Sequence, residues 1–148
     1  MSIASTLQTT FTAALSGISK PTVPSVRTGE PDTLNVATVA YWYTGTRTWQ
    51  ANTFSQTQEL SCWHIRVYQP APARFTPEDG GVDAWLEDVV NALRGAVYAH
   101  VGLGGAATGT GLTLSDATAG WLQTGAVLCR VADMDLEAML TAVHPIAA

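Results

Sequence analysis

At 148 residues the chain is the size of a single domain and long enough to enclose one hydrophobic core. Hydrophobic residues make up 47%, which excludes intrinsic disorder, while charged residues reach only 13%, about half of the ~25% usual in globular proteins. The net charge is −5, and a single lysine (Lys20) plus scattered arginines exclude the clustered cations that tight nucleic-acid binding requires.

Residues 2–18 come first. Ile3, Leu7, Phe11, Ala14, Leu15 and Ile18 fall on one stripe at helical spacing, with Ser2 or Ser5 as the cap and Gly17 with Lys20-Pro21 at the end. A loop rich in proline is expected over 19–33. Residues 34–43 are β-branched and aromatic and read as a strand. A polar stretch over 44–58 then leads to an alternating segment over 59–69. There Ser61, Trp63, Ile65 and Val67 face one way, and Leu60, Cys62, His64, Arg66 and Tyr68 face the other. Two strands joined by a long polar stretch predict an antiparallel pair with a projecting hairpin arm. Pro70 and Pro72 stop the second strand.

The strongest helical pattern follows. Val82, Trp85, Leu86, Val89, Val90, Leu93, Ala96, Val97 and Val101 form a wide apolar stripe, and Gly102 stands as the C-cap. The glycine-rich segment 102–111 follows a helix and leads to strands. It has no lysine, so it fits neither phosphate-binding pattern and reads as a mobile connection. Short strands are expected near 111–115 and 119–124, with a turn at Ser115-Asp116, and a further strand over 125–132. Residues 135–143 alternate like a strand but are rich in helix formers; alternation favours the strand. The predicted class is α+β: a mostly antiparallel sheet in one domain, two main helices on one face, and an arm at 44–58.

Candidate chemistry is sparse. Cys62 and Cys129 form no metal or redox motif and read as buried free thiols. His64, His100 and His144 are isolated, and Cys62 with His64 makes two ligands where a structural zinc needs four. No G-x-S-x-G elbow occurs. The acid pairs Glu78-Asp79 and Glu87-Asp88 read as solvated, and Asp133 with Asp135 as a turn or strand exit. No apolar run approaches the ~20 residues of a membrane span, and the N-terminus lacks a secretory pattern, so folding in a reducing cytoplasm is expected. The expectation is thus no catalytic residue, no metal and no cofactor.

Trp63 and Trp85 fit core positions, and Trp121 fits packing at a strand start. Trp42 and Trp49 differ: with Arg47 and Phe54 they flank or occupy the polar arm. Aromatics with arginine on a projecting segment poor in charge are the composition of interface hot spots. The low charge content points the same way, toward a surface covered in an assembly; a surface wetted by Ser, Thr, Gln and Asn is the alternative.

The order of elements then resembles a known family over most of the chain. An amphipathic helix leads into a strand pair with a long arm. The Trp63-x-Ile65-x-Val67-Tyr68 strand precedes the long helix containing Ala84-Trp85-Leu86-Glu87-Asp88-Val89-Val90-Asn91-Ala92-Leu93, and closing strands carry Leu128-Cys129-Arg130-Val131. This is similar to the tail terminator and related neck proteins of long-tailed, siphovirus-type bacteriophages. The resemblance implies a non-enzymatic virion protein, made in the host cytoplasm and located at the tail end or neck. Such proteins form a six-fold ring that caps the tail tube, ends its polymerisation and meets the head connector, while DNA passes through without specific binding. A head–tail stopper or adaptor is the alternative within the neck. A small-molecule-binding domain or enzyme of unassigned chemistry is the alternative outside it.

Overall fold

The two apolar stripes become the two helices of the fold. A computed structural model of the chain describes residues 3–18, 24–32, 34–53, 56–70, 81–99 and 112–143. Helix α1 spans Ile3–Leu15 and buries Ile3, Leu7, Phe11 and Leu15. Ser5 lies inside this helix and is not its cap; Ser2 lies outside the described residues. The helix closes in a tight turn in which Ile18 N–H donates to Leu15 O at 3.0 Å. Helix α2 spans Gly81–Ala99 and buries Trp85, Leu86, Val89, Val90, Leu93 and Val97, six members of the predicted stripe. Gly102 and the glycine-rich segment lie outside the described residues.

Six strands form one sheet: β1 (Ser25–Thr28), β2 (Thr38–Thr53), β3 (Gln56–Gln69), β4 (Leu112–Leu114), β5 (Thr118–Thr124) and β6 (Val127–Val143). The order is β1-β2-β3-β6-β4, with β5 on the same side of β6 as β4. Only β1 is parallel to its neighbour. The class is therefore α+β with a mostly antiparallel sheet, as expected. Both helices pack on one sheet face, where Leu7, Phe11, Leu15, Trp85, Val89 and Leu93 join Val39, Tyr41, Ile65, Val67, Met134 and Leu136 in one core. Alternation along β3 runs as the sequence predicts: Ile65 and Val67 enter this core, and Tyr68 enters a separate cluster.

Several boundaries differ from the sequence reading. Strand β1 lies in the segment expected to be loop; four mostly exposed residues carry no period to read. Strand β2 starts at Thr38 rather than residue 34. The preceding segment buries Pro31 and Leu34, and Leu34 joins Ala40, Tyr68, Cys129 and Val131 in the second cluster. At its other end β2 runs on through residues 44–53, because Thr and Trp are strand formers even where the pattern is polar. Gly45, at φ 145°, sits at the register shift after Tyr43, where an L side chain would be strained. Residues 125–132 and 135–143 are not two elements but one strand, β6, and the strand reading of 135–143 holds. Gly125, at φ 63°, takes the first central position of the two-residue turn from β5 into β6.

The arm also differs in build. Strand β6 pairs with β3 from Gln69↔Arg130 to Gln56↔Val143, so the projecting part is a three-stranded tongue and not a bare hairpin. A bare two-stranded ribbon is marginal in water; a third strand supplies a second ladder. Tyr41 anchors the base of the tongue to α1. Its hydroxyl oxygen lies 2.9 Å from both Ala4 O and Gln8 Oε1, and Gln8 Nε2 donates to Val26 O at 3.1 Å. Burial pushes the Tyr41 phenol above its ordinary pKa.

Candidate assembly surface

The face of the sheet away from the helices carries a cluster of ionic side chains. On β3, His64 and Arg66 are two apart and share a face. On β6, Asp133 and Asp135 do the same, and the register sets Arg66 opposite Asp133 and His64 opposite Asp135. His64 Nδ1 lies 2.8 Å from Asp135 Oδ1, and Nε2 lies 2.7 Å from Asp133 Oδ1. A neutral imidazole donates to one of these carboxylates; an imidazolium donates to both. Arg66 Nε donates to Asp133 Oδ1 at 2.5 Å, and its Nη1 to Glu30 Oε1 at 2.9 Å. Burial alone would lower the Arg66 pKa. The hydrogen bonds and charges of Asp133 and Tyr68 more than offset it, so the net shift is upward. Farther along the tongue, Arg47 Nη2 donates to Glu137 Oε1 at 2.8 Å.

Trp42 covers this network. Its ring lies 4.9 Å from the His64 ring, and the Arg66 guanidinium sits 5.4 Å from the Trp42 centroid and 5.8 Å from that of Tyr68. Below the network, Tyr68 and Cys129 are buried, and burial raises both pKa values, so the Cys129 thiol stays protonated and is a poor nucleophile. Both cysteines are free, as expected; Cys129 is buried and Cys62 half-buried. Asp133 and Asp135 lie in mid-strand, which corrects their reading as a turn or strand exit.

Of the predicted interface residues, Trp42 is half-buried at the base of the tongue, and Arg47 is exposed on it but ion-paired within its own chain. Trp49 lies on β2 within the tongue, and Phe54 lies outside the described residues. The structure thus brings Trp42 and Arg47 to one face without a direct contact between them. Trp85 is buried and Trp63 packs at the core edge, as read. Trp121 does not pack at a strand start: it is 56% exposed, with the Arg130 guanidinium 5.0 Å from its ring. Arg130 in turn donates to Asp83 Oδ1 of α2 at 2.8 Å. Beside this pair, a groove of about 340 Å³ is lined by Asp83, Leu86, Glu87, Val90, Ala117, Ala119, Arg130 and Ala132.

Sequence reasoning missed the network of His64, Arg66, Asp133 and Asp135. The signal was two pairs of ionisable residues at a spacing of two, which becomes a site only once β3 and β6 are known to be neighbours in that register. Among the described residues, no group of three or more His, Cys, Asp and Glu side chains has the arrangement to hold a metal ion. No helix among them is long and apolar enough to cross a membrane. No protein-family model matches the chain, and no characterised protein matches it in sequence.

Proposed function

We propose that this chain is a structural subunit of a long-tailed phage particle, of the tail terminator type, working as a ring that caps the tail tube and meets the head connector. The observation that carries the reading is the tongue. Strands β2, β3 and β6 run on together past the end of β1, and the tongue carries Arg47 and Trp49 with Trp42 at its base. A neighbouring subunit receives such a projection in a closed ring.

The electrostatics support passage of DNA and not its capture. The chain carries a net charge of −5. Arg47, Arg66 and Arg130 are each matched by a carboxylate of the same chain, and Arg94 donates to the Leu114 and Ser115 carbonyls. Cations engaged in this way do not displace the counterions of a duplex. A ring wall built from such subunits lets the phosphate backbone slide.

The test is capping. The chain is added to polymerising tail-tube protein from the same genome, and tubes are imaged. Arrested tubes with a ring at one end support the reading. Tubes that lengthen as they do without the chain, and carry no end density, overturn it.

A further inference from the structure

The sheet carries a different surface at each of its two edges. At the β5 edge the surface is apolar and looks to the helix side. Ala132, Met134 and Leu136 of β6 enter the core under the helices, so alternation puts Arg130 and Leu128 on that same face. The register sets Trp121 beside Arg130 and Ala119 beside Ala132, and leaves Trp121 diagonal to Leu128. Trp121 is 56% and Leu128 55% exposed, so an apolar ledge leads into the groove between β5 and α2, which Leu86 and Val90 help to line. Contiguous exposed apolar surface marks a contact site, and tryptophan and arginine are enriched at interface hot spots. Three residues lining the groove are charged: Asp83, Glu87 and Arg130. Arg130 and Asp83 neutralise each other at 2.8 Å. Glu87 is exposed and has no hydrogen-bond or ion-pair partner among the described residues, so the groove presents one unmatched carboxylate.

The β1 edge carries the complement. Arg27 stands beside Ala40, which enters the cluster on the face away from the helices, and residues side by side in a sheet share a face. Arg27 is exposed, and among the described arginines it alone has neither a carboxylate nor a carbonyl partner. Glu30, which follows on the same segment, is held by Arg66 at 2.9 Å. Val36, 49% exposed, precedes the Ala37 carbonyl that receives Ser25 N–H, and so gives this edge an apolar residue.

We infer that the groove between α2 and β5 is filled by a second copy of this chain. The β1 edge of one subunit lies over the β5 edge of the next, with Arg27 of the first meeting Glu87 of the second and Trp121 covered by the joint. This deepens the ring reading above and rests on it. Charge match selects the occupant: the unmatched carboxylate sits at one edge of the sheet and the unmatched guanidinium at the other. The two patches are not alike, so the contact is head-to-tail and not two-fold. They also lie on opposite faces at opposite edges. Successive sheets therefore overlap like shingles with the same face outward, and a head-to-tail contact of this kind closes when its rotation does.

Charge reversal followed by mixing tests this in the full chain. Arg27→Glu puts two acids at every joint, and Glu87→Arg puts two cations there. Each variant alone should assemble at least about tenfold more weakly than the unsubstituted chain by native mass across a concentration series. Mixed in equal amounts, the two variants restore an arginine–carboxylate match at every joint when they alternate, so assembly should return. A variant that had merely lost its fold would not be rescued in this way. Both positions are exposed, so circular dichroism should be unchanged; Arg27→Asp and Glu87→Lys replace either variant that fails to fold. Trp121→Ala should weaken assembly roughly 30-fold. Ring-sized particles from the unsubstituted chain, with both reversals assembling as it does or with the two variants staying apart when mixed, overturn this joint and leave the ring reading standing. An unsubstituted chain that is strictly monomeric overturns both.

Discussion

Replacing Asp133 by alanine removes the acceptor shared by His64 and Arg66. Asp133 receives Arg66 Nε at 2.5 Å and His64 Nε2 at 2.7 Å, and the Arg66 and Asp133 side chains are 18% and 29% exposed. A hydrogen bond to a charged group contributes about 1.5–3 kcal/mol, and orphaning a fully buried charge costs about 3–5 kcal/mol. Arg66 keeps Glu30 and His64 keeps Asp135, and the site is partly wet, so the loss should be about 2–3 kcal/mol. For a domain of this size that lowers Tm by roughly 5–10 °C. The assay is urea unfolding followed by tryptophan fluorescence, since Trp42 stacks on the network, at one fixed protein concentration because assembly shifts apparent stability. Arg66→Met, which keeps the apolar stem, and the double variant complete a cycle. A coupling energy of about 1–2 kcal/mol is expected. Additivity within about 0.5 kcal/mol would refute the claim that the two charges act as a unit.

Phe11→Ala should cost about 3–5 kcal/mol by denaturant unfolding, because the ring is fully buried and meets Tyr41 edge-on at 5.9 Å. Stability should fall above about pH 10. Burial raises the Tyr41 and Tyr68 pKa values above the ordinary 10.0, so the folded chain keeps protons that the unfolded chain loses. That contribution is intact below pH 10 and is lost as pH rises through the folded values; Tyr41→Phe should flatten the alkaline decline, and an unchanged slope would contradict its assignment to burial of that phenol. Gly45→Ala should cost about 1–2 kcal/mol by thermal unfolding. Nothing lies within 4 Å of the added Cβ, so the whole penalty comes from backbone at φ 145°.

Much of the fold was legible because burial leaves a period. Leu7, Phe11 and Leu15 on α1, and Trp85, Val89, Leu93 and Val97 on α2, repeat at helical spacing because one side of each helix meets the sheet. Strands β4 and β5 were found from the turn residues around them. Strand β1 was not, since pairing with β2 forms it and its own side chains are mostly in water. The extension of β2 was hidden because residues 44–53 are polar in pattern, although their threonines and tryptophan are strand formers. Asp133 and Asp135 misled because acids are rare in mid-strand; cross-strand partners, His64 and Arg66, make them tolerable there. Trp121 misled because an exposed tryptophan under a guanidinium looks, in sequence, like a core one. The interface assignment of Trp42, Arg47, Trp49 and Phe54 came from composition alone, and composition carries no partner.

Native mass measurement across a wide concentration range tests the central claim most directly. The account predicts one closed species of about six copies, a number that comes from the family resemblance, and its loss when Arg47 and Trp49 are both replaced by alanine while the circular dichroism of the fold is kept. A chain that stays monomeric at every concentration, or a ring indifferent to both substitutions, would contradict it.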